Sequence, residues 1–135
     1  MLKLIRRIFL RKEIISKKGE LHFRRWGIDA FIFGLYIHQI YKADEDKHLH
    51  DHPWDYISIC LKGSFIEECE KIVNVVIPGS FSVRKATKFH KIKEMITPCV
   101  TTLFITGPRR RVWGYDVNGV WFDNKTYRKT KNSKI

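Results

Sequence analysis

The chain has 135 residues, and its 26 lysines and arginines against 14 aspartates and glutamates give a formal net charge of +12. This length fits one domain with a sizeable core, and the 44% hydrophobic and 13% aromatic content excludes a disordered basic tail. The charge suggests nucleic acid or an anionic surface as a partner. However, residues 1–25 carry a net +7, residues 124–135 carry +5, and residues 26–123 are neutral. We therefore expect a basic N-terminal arm (1–25), a neutral domain (26–123) and a basic C-terminal tail (124–135).

The N-terminal arm begins with an apolar segment, residues 1–15, that is broken by Arg6, Arg7, Arg11 and Lys12. A secretory signal needs an unbroken apolar run of about 7–15 residues, and a membrane span needs about 20. The segment predicts neither. We expect a short basic amphipathic helix or an extended arm, packed on the domain or frayed. The C-terminal tail should be solvated.

The three cysteines, Cys60, Cys69 and Cys99, are odd in number and have no Cys-x-x-Cys spacing. This pattern argues against a disulfide framework and a structural zinc site. It predicts a reduced, cytoplasmic protein. Cys60 is expected in the core, since a buried thiol is more often a small apolar group than a nucleophile.

From residue 31 onward the sequence reads as short strands separated by turn residues. Asn118-Gly119 predicts a hairpin with a tight primed turn. No stretch after Trp26 has a sustained helical period, so the sequence predicts an all-β sandwich or barrel. The predicted strands are 34–43, 55–61, 64–70, 71–77, 80–83, 88–95, 100–106, 111–117 and 120–123.

Three of the six histidines lie in the segment HLHDH, at His48, His50 and His52. On a strand, residues i and i+2 face the same side. Neutral imidazoles on one face suit a divalent metal. The alternative is an ordinary surface cluster of histidines.

The spacing around these histidines resembles the first motif of the cupin superfamily, G-x5-H-x-H-x3,4-E-x6-G. His50 and His52 match the motif's histidines, Tyr56 occupies the position of the glutamate, and Gly63 matches the last glycine. The second motif, G-x5-P-x-G-x2-H-x3-N, begins at Gly79 and reaches His90. Lys85 and Thr87 replace its proline and second glycine.

The resemblance covers residues 34–106 and implies a jelly-roll barrel, or double-stranded β-helix, that extends to residue 123. It implies that His50, His52 and His90 bind a divalent transition metal such as Fe(II), Mn, Ni or Zn. Two segments are also similar in sequence to small single-domain cupins of phages and prophages: YIHQIYKADEDKHLHDHPWDY and TGPRRRVWGY. That group has no assigned reaction, so the similarity indicates the fold and the site but not the substrate.

Two departures from the cupin pattern concern the ligands: Tyr56 replaces the usual glutamate, and Glu94 replaces the asparagine. Asp55 could supply the missing carboxylate only if Pro53 imposes a bulge, because Asp55 has the opposite parity to His50. Some cupin thiol dioxygenases bind iron through three histidines alone. The sequence therefore leaves three alternatives for the site: a metal bound by three histidines alone, a metal bound by three histidines and Asp55, or a barrel without metal.

Other side chains could line such a site. Tyr56 is a candidate proton donor or an ordinary packing residue. Arg109 is a candidate clamp for a carboxylate or phosphate, and the alternative is a solvated basic rim. His38 could be a second polar group in the cavity or a core histidine. The remaining candidates for pocket walls or core are Trp113, Tyr115 and Trp121.

Three functions compete. The first is a metal-dependent enzyme that acts on a small anionic molecule, with dioxygenase-type chemistry preferred by family analogy. The second is a non-catalytic cupin that binds a sugar or nucleotide. The third is a nucleic-acid-associated accessory protein whose basic ends contact phosphates. A homodimer is a further expectation, because cupins frequently pair.

Overall fold

The computed structural model describes residues 9–15, 19–30 and 32–133, with side chains over 19–30 and 32–130. The prediction of an all-β chain is confirmed, and most predicted strands agree with the observed bounds within two residues. In chain order the elements are β1 (Phe9–Ile15), β2 (Leu21–Asp29), β3 (Gly34–Ile40), β4 (Tyr56–Lys62), β5 (Phe65–Cys69), β6 (Ile72–Val76), β7 (Phe81–Arg84), β8 (His90–Met95), β9 (Val100–Thr106), β10 (Gly114–Val117), β11 (Val120–Asp123) and α1 (Asn124–Ser133).

The strands form two antiparallel sheets that enclose a cavity. The first sheet has the order β1-β2-β3-β9-β4-β7, and the second contains β6-β5-β8 and the hairpin β10-β11. His50 joins the two parts of the second sheet, because it bridges His90 on β8 and Tyr115 on β10. Two facing sheets of antiparallel strands are the architecture of a jelly-roll barrel.

Alternation along the strands decides which side chains reach the interior. On β3, Tyr36, His38 and Ile40 are buried while Leu35 and Ile37 are exposed. Successive side chains of a strand point to opposite faces, so one face of β3 lines the barrel. Two clusters form the apolar core: Ile40, Cys60, Phe65 and Val100; and Tyr36, Tyr56 and Phe104. The prediction that Cys60 is a core residue is confirmed.

Turns with positive φ fix the connections that the sequence pattern suggested. Asn118 and Gly119 have φ of 52° and 87°, as a primed hairpin turn requires, and they connect β10 to β11. The motif glycine Gly63 has φ of 81°, and a Cβ there would overlap the carbonyl oxygen of Cys99. Gly79, the first glycine of the second motif, has φ of 89°.

The described residues of the predicted N-terminal arm, 9–15 and 19–25, belong to the first sheet rather than to a separate arm. β1 pairs with β2, and β2 pairs with β3 from Phe23 to Asp29, across the predicted boundary at residue 26. For residues 9–15 the extended alternative is therefore correct and the helix is wrong, because these residues form an edge strand that pairs with β2. Residues 1–8 and 16–18 lie outside the described chain.

The predicted solvated tail is also wrong for residues 124–133, which form α1. Asp123 caps this helix: its Oδ2 accepts a hydrogen bond of 3.3 Å from the backbone N–H of Thr126. Tyr127 is buried and stacks on Tyr115 with 3.8 Å between ring centroids. In the described part of the chain, no helix has the length and apolar character needed to cross a membrane.

The outer face of the first sheet carries exposed apolar side chains. They lie on β3, β9 and β7, and they are Leu35, Ile37, Ile105, Phe81 and Val83. A homodimer stays a prediction.

Candidate metal centre

The HLHDH segment crosses the second sheet as an extended chain that bonds its two neighbours alternately. The backbone N–H of His50 donates to the carbonyl of His90 (3.0 Å), and that of His52 donates to Ala86 (3.0 Å). Between them, the N–H of Asp51 donates to Gly114 on the opposite side (2.9 Å). This alternation directs His50 and His52 to one face, as the sequence predicted.

His50, His52 and His90 converge on one point of the cavity wall. One ring nitrogen of each lies within 4.8 Å of the others. The Nε2 atoms of His52 and His90 are 3.4 Å apart. His48 is not part of this group, because its Nδ1 lies 3.0 Å from the hydroxyl of Tyr127. The structure thus brings together the three histidines that the cupin motifs identified.

A buried carboxylate that sequence analysis missed orients His90. Glu67 on β5 has an exposed fraction of 6%, and its Oε2 lies 2.8 Å from Nδ1 of His90. Arg84 on β7 donates to both carboxylate oxygens, at 2.7 and 2.5 Å. A hydrogen bond from Nδ1–H of His90 to Glu67 would leave Nε2, which faces the other histidines, free to bind a metal. This is the arrangement of a carboxylate behind a metal-binding histidine.

The electrostatics keep the imidazoles of His50 and His52 neutral. Burial, followed by the neighbouring His90, lowers the pKa of His50 to about 4. The same causes lower the pKa of His52 well below its usual value. The Nδ1 atom of His52 is buried and has no hydrogen-bond partner among the described residues. Converging imidazoles, of which His90 is buried and His50 and His52 are half-buried, are a donor set that fits a divalent transition metal.

Opposite effects act on Glu67. Burial by itself would raise the pKa of Glu67, but the hydrogen bonds from His90 and Arg84 outweigh it and lower the pKa to about 2. The carboxylate is therefore ionised at neutral pH.

Tyr56 occupies the place where the cupin motif has its glutamate. Its ring stacks on Phe104 with 5.0 Å between centroids, and its hydroxyl is 3.5 Å from Nε2 of His90. Burial raises the pKa of Tyr56, so the hydroxyl stays protonated. A protonated phenol beside the histidines can donate a hydrogen bond.

Asp55 does not belong to the cluster. Its Oδ1 accepts a hydrogen bond of 2.8 Å from the backbone N–H of Ala86, and its Oδ2 is 3.7 Å from Arg110. Because the carboxylate points toward these partners, the described residues provide the three-histidine set without Asp55.

The predicted clamp Arg109 is exposed and does not line the cavity. Its neighbour Arg111 instead donates to Oδ2 of the buried Asp51 at 2.5 Å. Asp51 also accepts from Trp121 Nε1 (3.0 Å) and from the N–H of Gly114 (2.6 Å). Asp51 thereby fixes the hairpin β10-β11 against the HLHDH segment.

The aromatic residues of the hairpin region pack behind the site rather than lining the cavity. The ring centroids of Trp113 and Tyr115 are 6.0 and 6.1 Å from that of His50. The hydroxyl of Tyr115 donates to Asp46 at 2.8 Å.

The cavity beside the histidines has a volume of about 180 Å³ and takes side chains from both sheets. Its lining includes the predicted His38 and Tyr56. Arg25, Glu67 and Arg84 also line the cavity, and no sequence motif indicated them. A signal for Glu67 was present, since it shares its parity on β5 with the buried Phe65 and Cys69.

Comparisons with solved structures give the fold. A cupin-2 domain from Rhodospirillum rubrum is similar with a TM-score of 0.65 at 12% identity, and the match covers 90% of this chain and 82% of that one. A cupin 2 conserved barrel domain protein from Rhodopseudomonas palustris is similar with a TM-score of 0.62 at 11% identity, and the match covers 92% of this chain and 86% of that one.

The Fe(II) form of HppE gives a TM-score of 0.58 at 8% identity and covers 71% of this chain. The chain spans only 56% of the length of that protein. No protein-family model and no curated protein matches the sequence. The two facing sheets, the motif spacing and these similarities agree: the chain has the cupin fold.

Proposed function

We propose that the chain binds one divalent transition metal through His50, His52 and His90 and acts on a small anionic molecule in the adjoining cavity. The observation that carries this proposal is the convergence of one ring nitrogen from each of three histidines within 4.8 Å on the wall of a cavity of about 180 Å³. A metal held by side chains next to open space can also bind a ligand from solution.

The donor set favours an anionic ligand. Three imidazoles leave a divalent ion with its full charge, whereas a carboxylate ligand would reduce it. The charged side chains that line the cavity are Arg25, Arg84, Asp44 and Glu67. Their formal charges cancel, so the metal's double positive charge would stay uncompensated until an anion enters.

A bound metal would supply Lewis-acid polarisation or, as Fe(II), reactivity toward dioxygen. The iron(II) in the structurally similar HppE is compatible with iron here, and dioxygenase-type chemistry remains our preferred reaction. Glu67 would hold the proton on Nδ1 of His90, which keeps Nε2 available. Tyr56 would donate a hydrogen bond to the ligand from its protonated hydroxyl.

The visible absorption spectrum of the Co(II)-loaded protein tests the proposal. We expect bands of a protein-bound ion, and we expect azide to change them because a coordination position is open to the cavity. Bands that azide leaves unchanged would indicate a closed structural site. Absence of bound cobalt would contradict the proposal as a whole and would favour a metal-free binding protein.

A further inference from the structure

Arg25 lies at the end of the basic segment 1–25, but its side chain points into the barrel and lines the cavity. It lies on β2, where it is paired with His38 of β3. Its Nε donates to Nε2 of His38 at 3.1 Å. Burial lowers the pKa of His38 well below its usual value, which leaves a neutral imidazole to accept this bond.

The guanidinium of Arg25 is held in place by aromatic rings. Its central carbon lies 4.9 Å from the ring centroid of Tyr36 and 5.5 Å from that of Phe23. Gly27 allows this arrangement, because a Cβ there would overlap the Tyr36 ring that lies across it. A guanidinium fixed in this way loses little conformational freedom when it binds a ligand.

The two terminal nitrogens of Arg25 have no partner among the described residues. Among the described residues, the side-chain hydrogen bond of Arg25 is made by its Nε, and no carboxylate forms an ion pair with it. The carboxylates that share the cavity are engaged elsewhere. Glu67 binds Arg84 and His90, and Asp44 accepts the backbone N–H of Ile92 at 2.6 Å.

An arginine that is largely buried without a counter-charge is costly unless an anion pairs with it. Its terminal N–H groups form a fork that matches the two oxygens of a carboxylate or of a phosphate-type group. The cavity of about 180 Å³ is smaller than the ~300–1,000 Å³ of typical ligand pockets. The ligand should therefore be smaller than a nucleotide.

A row of rings connects Arg25 to the metal centre along the cavity wall. His38 contacts Phe104 with 4.5 Å between centroids, Phe104 stacks on Tyr56 at 5.0 Å, and Tyr56 contacts His52 at 4.6 Å. A ligand bound at Arg25 could therefore extend over an apolar wall toward the histidines.

We propose that Arg25 binds the oxyanion group of the small molecule that enters the cavity, with the rest of that molecule directed toward His50, His52 and His90. The direction toward the metal rests on the proposed function; the oxyanion contact itself does not. The role that the sequence suggested for Arg109 is thus assigned to Arg25.

Isothermal titration calorimetry with propionate and with methylphosphonate tests the proposal and distinguishes a carboxylate from a phosphate-type ligand. The Ni(II)-loaded and the metal-free wild type should each bind at least one probe. Arg25→Gln should weaken that binding at least tenfold, about 1.4 kcal/mol, in both states. Arg109→Gln, the matched control, should leave it unchanged.

Arg25→Lys keeps the charge but loses the fork, so it should weaken binding at least threefold, and it decides the test if Arg25→Gln does not fold. Nickel stoichiometry, measured on every variant by equilibrium dialysis, should be unaffected. Wild-type affinity in Arg25→Gln and Arg25→Lys, or no binding of either probe to the wild type, would overturn the proposal. If the wild type binds no nickel, the proposed function fails, and the metal-free titrations alone decide the role of Arg25.

Discussion

Replacing Glu67 by Gln removes the charge that connects β5, β7 and β8 behind the metal centre. The side chains of Glu67 and Arg84 are only 8% and 12% exposed, so the variant leaves Arg84 buried without a full partner. Taking the folded pKa of Glu67 as about 2 against its usual 4.5, the ionised carboxylate contributes about 3 kcal/mol to the free energy of unfolding at pH 7.

The sign of the pH dependence follows from the direction of this shift. Since the folded pKa lies below the unfolded one, the contribution is complete well above pH 4.5 and is lost as the pH falls toward 2. About 2 kcal/mol of it should be gone at pH 3. Urea unfolding of the metal-free wild type and of Glu67→Gln should therefore differ by about 3 kcal/mol at pH 7 and by about 1 kcal/mol at pH 3.

Glu67→Gln should lower the metal affinity as well as the stability. A carboxylate that holds a metal-binding histidine is typically worth 10–100-fold in affinity, so Glu67→Gln should bind nickel about that much more weakly. The control is Glu68→Gln: its carboxylate is 36% exposed and 3.7 Å from Lys91, and its loss should change stability by less than about 1 kcal/mol. A Glu67→Gln variant with the stability and nickel affinity of the wild type would refute the role we give Glu67.

Three further predictions concern the frame of the site. Asp51→Asn should lower the free energy of unfolding by about 3 kcal/mol, because Asp51 is 1% exposed and accepts hydrogen bonds from Arg111, Trp121 and Gly114. The control Asp116→Asn, in the exposed hairpin turn, should lower it by about 1 kcal/mol or less. Equal losses for the two variants in urea unfolding would contradict the role of Asp51. Gly63→Ala should lower stability clearly more than Gly79→Ala, since both glycines have positive φ but only Gly63 has a backbone atom where the Cβ would lie. The positive φ alone should cost each alanine variant about 1–2 kcal/mol. Equal shifts in Tm for the two variants would contradict the overlap at Gly63. Tyr56→Phe should bind as much nickel as the wild type, because the hydroxyl is placed to donate a hydrogen bond; loss of nickel would show that Tyr56 replaces the missing glutamate as a ligand.

The strands and the histidines could be predicted because their signals are local. Val100–Thr106 and Val120–Asp123 match the predicted strands at both ends, since alternation and the turn residues around them fix their bounds. His50 and His52 share a face by parity. The number of residues between Gly79 and His90 matches the second cupin motif. The three histidines could therefore be grouped from the sequence without knowledge of their contacts.

The partners of the histidines could not be predicted, because they depend on which strands face each other. Glu67, Arg84 and His90 are on three different strands, and no spacing relates them. Arg25 looked like part of a basic arm because β2 has no clear alternation of charge. The helix after Asp123 was missed because its stabilising contact, Tyr127 on Tyr115, is tertiary, although Asp123 was a recognisable capping residue.

The central claim is that His50, His52 and His90 bind a metal, and equilibrium dialysis against Ni(II) or, under anaerobic conditions, Fe(II) tests it most directly. The wild type should bind one ion per chain, and the double variant His50→Ala/His52→Ala should bind none. His48→Ala is the matched control, because His48 lies in the same segment but contacts Tyr127, and it should retain the ion. A wild type without bound metal, or a double variant that still binds one, would contradict the account.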